Sequence, residues 1–274
     1  MHSMQTKSKI KDLKRQIANI ARKHKIGHVP SCYSCLNILY ILYSKIVNIK
    51  QDNIKSIDRD KVILSKEHCK LGLLCVLEEF GLIPTGAAEE WFYDGSSVGH
   101  GHDIFNEVAD EPYAAVDASY GSLGQGLGLG AGMALADKNN KVYVIIGDGE
   151  LQEGSCWEAF MFIGHNNLKN VIPIIDRNWI QGGDYTKNII DSSSNCIAQI
   201  ASFGLDVIEV DGHNNDAIEK ALLIETKKPK CIVANTIKGK ECLFVSDIHG
   251  FGYLHNHPYT NNEFEKIMEG INND

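Results

Sequence analysis

Two runs of apolar, mostly β-branched residues, Val142–Ile146 and Val171–Ile175, constrain the fold of this 274-residue chain most strongly. Uninterrupted runs of this kind are typical of strands that are buried on both faces of a parallel sheet. Asp148 follows the first run between two glycines, and Asn178 follows the second. Because the carboxyl ends of neighbouring parallel strands lie at one edge of the sheet, we expect these two side chains to meet there.

A carboxylate oxygen and an amide oxygen together form only part of a cage for a cation. Such a pair suits Mg²⁺, which keeps several coordination positions for water and for phosphate oxygens. The spacing alone leaves a simpler interpretation open, in which Asp148 caps a tight strand-to-helix turn and Asn178 is an unrelated loop residue. The rest of the sequence favours the metal site.

Strands and helices alternate along the chain. Further strands are predicted at Lys61–Leu64, Val207–Val210 and Cys231–Thr236, separated by helices such as Glu153–Gly164 and Ala217–Thr226. This order is typical of an α/β protein with a doubly wound, mostly parallel sheet and helices on both faces. Because the sequence has no internal repeat and no clear linker, we expect residues 1–274 to form a single domain.

The N-terminal part is predicted to extend this domain with helices over about residues 7–48. An amphipathic helix is expected at Lys9–Lys23 and a buried helix at Tyr33–Tyr43, with a loop at Ile26–Ser31 between them. A glycine- and alanine-rich helix ending near Ala136 is expected later in the chain.

Charge and composition exclude several classes of function. The formal net charge is −8, so we expect neither nucleic acid nor an anionic membrane as the main partner. No stretch has the apolar length of a membrane span, and the polar, lysine-rich N-terminus does not resemble a secretory signal. The eight cysteines, including Cys32 and Cys35, are expected to be reduced, structural thiols of a cytoplasmic protein.

Short motifs containing glycine and histidine are spread along the chain. In order, they are Ile26-Gly27-His28, Ser65–His68, Gly101-His102-Asp103, Tyr120–Gly126, Gly147-Asp148-Gly149 with Glu153-Gly154 and Glu158-Ala159, Asn178, and Lys238-Gly239-Lys240 followed by His255. Together they resemble the N-terminal, cofactor-diphosphate-binding part of transketolase. The resemblance implies the thiamine-diphosphate-binding fold, thiamine diphosphate and Mg²⁺ as cofactors, and transfer of a two-carbon ketol unit between sugars.

The resemblance also assigns roles to individual residues. As metal ligands it implies Asp148, Asn178 and the backbone carbonyl of Ile180. Cofactor contacts are implied for His68, Gly121, Leu123, Gly147, Gly149, Asn178 and His255. Catalytic contacts with the sugar are implied for His28, His102 (or His100) and His255, whose imidazoles suit proton transfer near pH 7. Glu153 is implied in a proton relay near a subunit boundary, and the alternative is a carboxylate that stabilises a helix N-terminus.

Several positions depart from the family pattern, most of them on the expected substrate side: Glu67, Val29-Pro30, Ser122 and Glu241. We therefore expect the cofactor to be retained and the donor or acceptor sugar to be unusual. The sequence has no counterpart of the family's pyrimidine-binding and C-terminal domains, and in this it resembles the split transketolases. We expect a separate C-terminal subunit, an α2β2 heterotetramer, and no activity without the partner.

Three other interpretations stay open at this point. The first is another thiamine enzyme, either a 2-oxo-acid dehydrogenase α subunit or a deoxyxylulose-phosphate synthase. The second is a nicotinamide-dependent oxidoreductase, because Gly126–Ala131 fits the loose G-x-G-x-x-A pattern, although no firm strand precedes it. The third is a non-catalytic subunit that kept the fold and lost turnover, which the intact Asp148 and Asn178 disfavour.

Overall fold

The computed structural model describes residues 2–90, 116–119, 121–242, 255 and 257–273. The strands in these ranges are β1 (Lys61–Leu64), β2 (Ala118–Ser119), β3 (Val142–Gly147), β4 (Val171–Arg177), β5 (Ile180–Gln181), β6 (Asp184–Tyr185), β7 (Asp206–Asp211) and β8 (Lys230–Asn235). Six of them form a parallel sheet in the order β2-β1-β3-β4-β8-β7, and β5 and β6 form an antiparallel pair. The predicted parallel α/β sheet is confirmed.

The central strands are apolar along their whole length because both faces of the sheet are covered. Every residue of β3 and β4 is buried. Successive side chains of a strand point to opposite faces. Tyr143 and Ile145 accordingly pack into the core on one face, while Val144 and Ile146 pack into the core on the other.

Helices cover both faces, as the sequence predicted. The helices are α1 (His2–His24), α2 (Val29–Ile41), α3 (Lys70–Glu79), α4 (Ala87–Glu90), α5 (Gln125–Ala136), α6 (Gly154–His165), α7 (Thr186–Ile189), α8 (Cys196–Ser202), α9 (Asn215–Leu223) and α10 (Asn261–Asn273). The core on one face contains residues of α1, α2, α3, α9 and α10, and the core on the other contains residues of α5, α6 and α8. The helices predicted as an N-terminal extension thus pack into the same core as the sheet.

The start of α2 and the edge strand β2 differ from the prediction for physical reasons. The segment Ile26–Ser31 was predicted to be a loop, but α2 already begins at Val29. Pro30 lies in the first turn of this helix, where its missing N–H leaves no hydrogen bond unmade. The edge strand β2 was not predicted, because two residues are too short to give a hydrophobic pattern.

Two further observations concern the cysteines and the lengths of the helices. All eight cysteines are free and buried. Among the described residues, no helix has the length and apolar character that crossing a membrane requires.

His213 forms a hydrogen bond that connects the turn after β7 with the segment that follows β8. Its Nε2 accepts a hydrogen bond of 2.8 Å from the backbone N–H of Ile237. Burial, together with the ammonium groups of Lys240 and Lys14, lowers the pKa of His213 to about 4. The accepting Nε2 and the low pKa both indicate a neutral imidazole at pH 7.

This lowered pKa predicts a loss of stability in mild acid. Between the unfolded pKa of about 6.5 and the folded pKa of about 4, the unfolded chain binds a proton that the folded chain does not. The stabilisation is therefore complete above about pH 6.5 and is lost as the pH falls. Between about pH 7.5 and 5, we expect the wild type to lose about 1–2 kcal/mol more unfolding free energy than His213→Gln.

Urea unfolding of both proteins at the two pH values measures this difference. The matched control is His165→Gln, at an exposed histidine of α6, which should keep the wild-type pH dependence. Equal pH dependence of the wild type and His213→Gln would contradict the assignment.

Candidate active site at the carboxyl edge of the sheet

The carboxyl ends of β1, β3, β4 and β8 lie side by side at one edge of the sheet. Each end leads into a segment with polar side chains: Ser65–His68 after β1, Asp148 after β3, Asn178 after β4 and Lys238 after β8. The chain reverses its direction of winding at the β1/β3 pair, and open parallel sheets bind ligands at such a reversal. This edge is therefore the candidate active site.

Asp148 is 1% exposed and faces the turn after β4. Its Oδ2 accepts hydrogen bonds from the Trp179 N–H at 2.7 Å and from the Ser193 hydroxyl at 3.0 Å, while Oδ1 accepts from the Gly149 N–H at 3.0 Å. Burial and the nearby Asp176 carboxylate raise the pKa of Asp148 to about 6. A bound cation would favour the ionised carboxylate and offset this shift.

Asn178 is held in a defined orientation within the turn after β4. Its Nδ2 donates to Asp176 at 3.4 Å, and its Oδ1 accepts from the Ile180 N–H at 3.1 Å. The neighbouring Trp179 donates its N–H to Asp148. The structure thus brings the turn that carries Asn178 into direct contact with Asp148, at the ends of adjacent strands.

Asp176 is a buried anion beneath this turn. Lys66 forms an ion pair with it, and the hydroxyls of Ser34 (2.6 Å) and Thr236 donate to its carboxylate. Burial alone would raise the pKa of Asp176, but the Lys66 ammonium holds it below its usual value. Burial opposes the charge on Lys66 as well, yet Asp176 keeps the pKa of Lys66 well above its usual value. The pair is therefore charged at neutral pH.

Three of the histidines expected at the site lie together. Ring centroids are 4.5 Å apart for His28 and His255, 5.7 Å for His68 and His255, and 5.9 Å for His28 and His68. Burial and Lys238 lower the pKa of His255 to about 3, and burial and Lys66 lower the pKa of His68 well below its usual value. Both imidazoles are neutral near pH 7, so each can donate from one ring nitrogen and accept at the other.

Lys238 places a buried ammonium beside these histidines. It is 3% exposed and makes no hydrogen bond or ion pair within the described part of the chain. Burial and the Lys66 ammonium lower its pKa to about 8. A buried cation without a bound partner is unfavourable. An anionic ligand at this edge would stabilise it.

Two of the four described non-glycine residues with a positive φ lie at the same edge. His28 and Trp179 adopt left-handed φ values of 65° and 66°. For residues other than glycine this conformation costs on the order of 1–3 kcal/mol, and it persists where the surrounding structure enforces it. His28 precedes α2, and Trp179 lies between Asn178 and Ile180. The left-handed conformations of these two residues set the direction of the chain at the start of α2 and in the turn after β4.

The remaining predicted residues lie around this group or outside the described ranges. Gly121 and Leu123 belong to the loop before α5. The Gly147 N–H donates to Glu150 at 3.1 Å, and Glu153 is exposed at the N-terminus of α6. His102 and the alternative His100 lie outside the described residues. The functional roles of these residues stay predictions.

Three buried charged residues of the site were not predicted from the sequence: Lys66, Lys238 and Glu150. Lysine and glutamate are usually exposed, so their identity gave no indication of burial. Position is the signal that could have found them. Lys66, Lys238 and Glu150 all lie within a few residues of the carboxyl end of a buried strand, where ligands bind in sheets of this type.

The family model of the transketolase thiamine diphosphate-binding domain matches residues 6–269. The chain belongs to this transketolase family. The match decides among the thiamine enzymes considered from the sequence, and it confirms the thiamine-diphosphate-binding fold.

Relatives identify the kind of transketolase polypeptide. The chain is 32% identical over 265 residues to one of the subunits of the apulose-4-phosphate transketolase of Phocaeicola vulgatus, covering 94% of this chain and 90% of that protein. It is 34% identical over 248 residues to a 6-deoxy-6-sulfo-D-fructose transketolase subunit of a Clostridium species, covering 85% and 87%. The predicted similarity to the N-terminal subunit of a split transketolase is thereby confirmed.

A solved transketolase shows the same fold. The enzyme from Leishmania mexicana superimposes with a TM-score of 0.78 over 97% of this chain, at 24% identity. This transketolase-family chain covers 41% of the length of that protein.

Proposed function

We propose that this chain is the diphosphate-binding subunit of a two-subunit transketolase that transfers a two-carbon ketol unit from a ketose donor to an aldose acceptor. The observation that carries the proposal is the grouping of Asp148, Asn178, Lys238 and the histidines at one edge of the sheet. This set combines oxygen ligands for a cation, a buried ammonium for an anion, and neutral imidazoles for a polyhydroxylated substrate.

Asp148, the Oδ1 of Asn178 and the carbonyl of Ile180 would hold Mg²⁺. The donor types fit, because Mg²⁺ prefers oxygen ligands and keeps positions for water and phosphate oxygens. Asn178 donates its Nδ2 to Asp176, and its Oδ1 accepts from the Ile180 N–H, which leaves one lone pair of Oδ1 available to a metal. Among the described residues, no group of three or more His, Cys, Asp or Glu side chains is arranged to hold a metal. The proposed set has one carboxylate, so it requires no such group.

Lys238 and His68 would contact the diphosphate, together with the backbone of Gly147 and Gly149. The buried ammonium of Lys238 fits a multiply charged anion. The loop containing Gly121 and Leu123 would place backbone groups beside the cofactor's rings. When bound, thiamine diphosphate supplies the stabilised carbanion that the transfer requires.

His28, His255 and His102 would bind the hydroxyl and carbonyl oxygens of the sugar. The His255 Nδ1 is buried and has no hydrogen-bond partner within the described part of the chain, so it is free to act on a ligand. A neutral imidazole can donate a hydrogen bond from one ring nitrogen and accept one at the other. Glu153 would relay protons at the boundary with another subunit.

The substrate is proposed to be a non-standard sugar with a terminal anionic group. The names of two relatives specify apulose 4-phosphate and 6-deoxy-6-sulfo-D-fructose. Val29-Pro30, which departs from the family pattern, directly follows His28, one of the residues proposed to bind the sugar. A difference at this position can give the enzyme a sugar preference that differs from that of other transketolases.

A separate C-terminal subunit is proposed to complete the enzyme as a cytoplasmic α2β2 heterotetramer. Both relatives are named as subunits. Leu135 on α5 and Met161 and Phe162 on α6 are large apolar side chains exposed in the single chain, and such groups often mark a contact surface. The eight free cysteines fit a reducing compartment.

Reconstitution tests this function. The chain and a C-terminal transketolase subunit encoded beside it should bind each other, and transfer should require both chains, thiamine diphosphate and Mg²⁺. Rates with the two sugars named above should exceed the rate with xylulose 5-phosphate and ribose 5-phosphate. Full activity of the chain alone would overturn the two-subunit proposal. Efficient turnover of the common pentose phosphates would overturn the proposed substrate class.

A further inference from the structure

Glu150 is a buried carboxylate that the proposed chemistry does not use. It is 2% exposed, and no lysine or arginine in the described ranges forms an ion pair with it. Instead, three hydrogen-bond donors converge on its two oxygens. A carboxylate in such a place is unfavourable unless these donors satisfy it. The identity of the donors therefore shows what Glu150 holds in place.

The three donors belong to three different segments of the chain, which follow or end β1, β2 and β3. Oε1 accepts from the Gly124 N–H at 2.8 Å and from the Ser65 hydroxyl, and Oε2 accepts from the Gly147 N–H at 3.1 Å. Ser65 follows β1, Gly124 lies in the loop between β2 and α5, and Gly147 ends β3. The Ser65 Oγ in turn accepts from the Gly126 N–H at 3.2 Å. One side chain thus connects the segments that carry His68, Leu123 and Asp148.

The loops around Glu150 are also closely packed at Gly124 and Gly126. A Cβ atom on Gly126 would lie 2.5 Å from the Ser65 Oγ, and a Cβ atom on Gly124 would lie 2.6 Å from the Ser155 Oγ. These contacts leave little room at the glycines for a larger side chain. The carboxylate is the element that satisfies the three donors at this point.

We propose that Glu150 is a positioning residue that fixes the spacing of the three cofactor-binding loops. The inference rests on the proposed function, because those loops bind the cofactor only if the chain is a thiamine diphosphate subunit. Glu150 would not touch the cofactor or the substrate. It would hold Asp148 at a fixed distance from the loop of Gly121 and Leu123, so that little reorganisation is needed on binding.

The test compares Glu150→Gln with the wild type in the two-subunit enzyme. Glutamine has almost the same shape, but it places an N–H₂ group against one of the three donors. We expect the thiamine diphosphate concentration needed for half-maximal activity to rise by about 10–100-fold at saturating Mg²⁺. At saturating cofactor, kcat should stay within about threefold of the wild type, since Glu150 contacts no reacting group. Glu269→Gln, at an exposed glutamate of α10, is the matched control and should change neither value.

A second measurement does not depend on activity. In the isolated chain without cofactor, amide hydrogen exchange at Gly124 and Gly147 should be faster in Glu150→Gln, while exchange at Gly164, in the second half of α6, should be unchanged. Ser65→Ala removes one donor and should give a smaller cofactor effect than Glu150→Gln.

The outcomes separate this inference from the proposed function. An unchanged cofactor requirement in Glu150→Gln, with a wild type that binds cofactor normally, would overturn the inference and leave the function standing. A fall in kcat without a change in the cofactor requirement would indicate a merely structural role and would also overturn it. A wild-type enzyme that binds no thiamine diphosphate would overturn the proposed function and the inference with it.

Discussion

Asp148→Ala is expected to abolish detectable transfer in the two-subunit enzyme at ordinary cofactor concentrations. The substitution removes the proposed charged metal ligand and leaves the N–H groups of Trp179 and Gly149 and the Ser193 hydroxyl without their acceptor. Losing one partner of a buried charged interaction costs about 3–5 kcal/mol, which corresponds to about a hundredfold to several thousandfold in affinity. Calorimetric titration of the two-subunit enzyme with thiamine diphosphate, in the presence of Mg²⁺, measures this loss of affinity.

Asp148→Asn separates the charge from the hydrogen bonds. Asparagine can keep an acceptor for Trp179, so the fold should be retained while metal and cofactor binding is still strongly weakened. The matched control is Glu265→Ala, at an exposed acidic residue of α10, which should bind cofactor as the wild type does. Wild-type affinity in Asp148→Ala would exclude Asp148 as a metal ligand.

Gly164→Ala is expected to cause a large loss of fold stability for the addition of one methyl group. A Cβ atom at this position of α6 would lie 1.8 Å from the carbonyl oxygen of Phe203 and 3.0 Å from its carbonyl carbon. The obstacle is backbone, so α6 and the turn after α8 would have to separate. We expect the unfolding free energy to fall by about 3 kcal/mol or more, at the upper end of overpacking effects.

Gly132→Ala provides the matched comparison for this prediction. Gly132 is exposed in α5, and a Cβ atom there would meet nothing within 4 Å. Alanine is the better helix former, so the variant should be as stable as the wild type or more stable by about 0.5–1 kcal/mol. Urea unfolding of the isolated chain measures both variants. Similar stability of Gly164→Ala and Gly132→Ala would show that α6 does not pack against Phe203 in this way.

Much of the fold could be predicted because parallel strands buried on both faces leave a direct signal in the sequence. Val142–Ile146 and Val171–Ile175 are continuous apolar runs, and both lie within strands of the structure. The short edge strand β2 left no such signal, because its two residues cannot show a period. The start of α2 was missed because Val29-Pro30 looked like a loop, although proline is well tolerated in a first helical turn.

The part of the site that could be predicted is the part where a strand is followed by a residue type that commonly binds metal ions. Asp148 and Asn178 were expected to meet from the βαβ geometry alone, and their turns are in contact. The grouping of His28, His68 and His255 could be expected only from the family resemblance, because no periodicity connects residues so far apart in sequence. Lys66, Lys238 and Glu150 were missed because lysine and glutamate are usually exposed. For Lys66, the ion-pair partner Asp176 comes near only in the folded chain.

We propose that one magnesium ion binds between the ends of β3 and β4 and holds the cofactor's diphosphate. The most direct test is a crystal structure of the two-subunit enzyme with thiamine diphosphate and Mn²⁺ in place of Mg²⁺, with the metal located by its anomalous scattering. We predict a peak about 2.1 Å from an oxygen of Asp148, from Asn178 Oδ1 and from the Ile180 carbonyl. A diphosphate bound at this edge with the metal elsewhere, or with no metal beside Asp148 and Asn178, would contradict it.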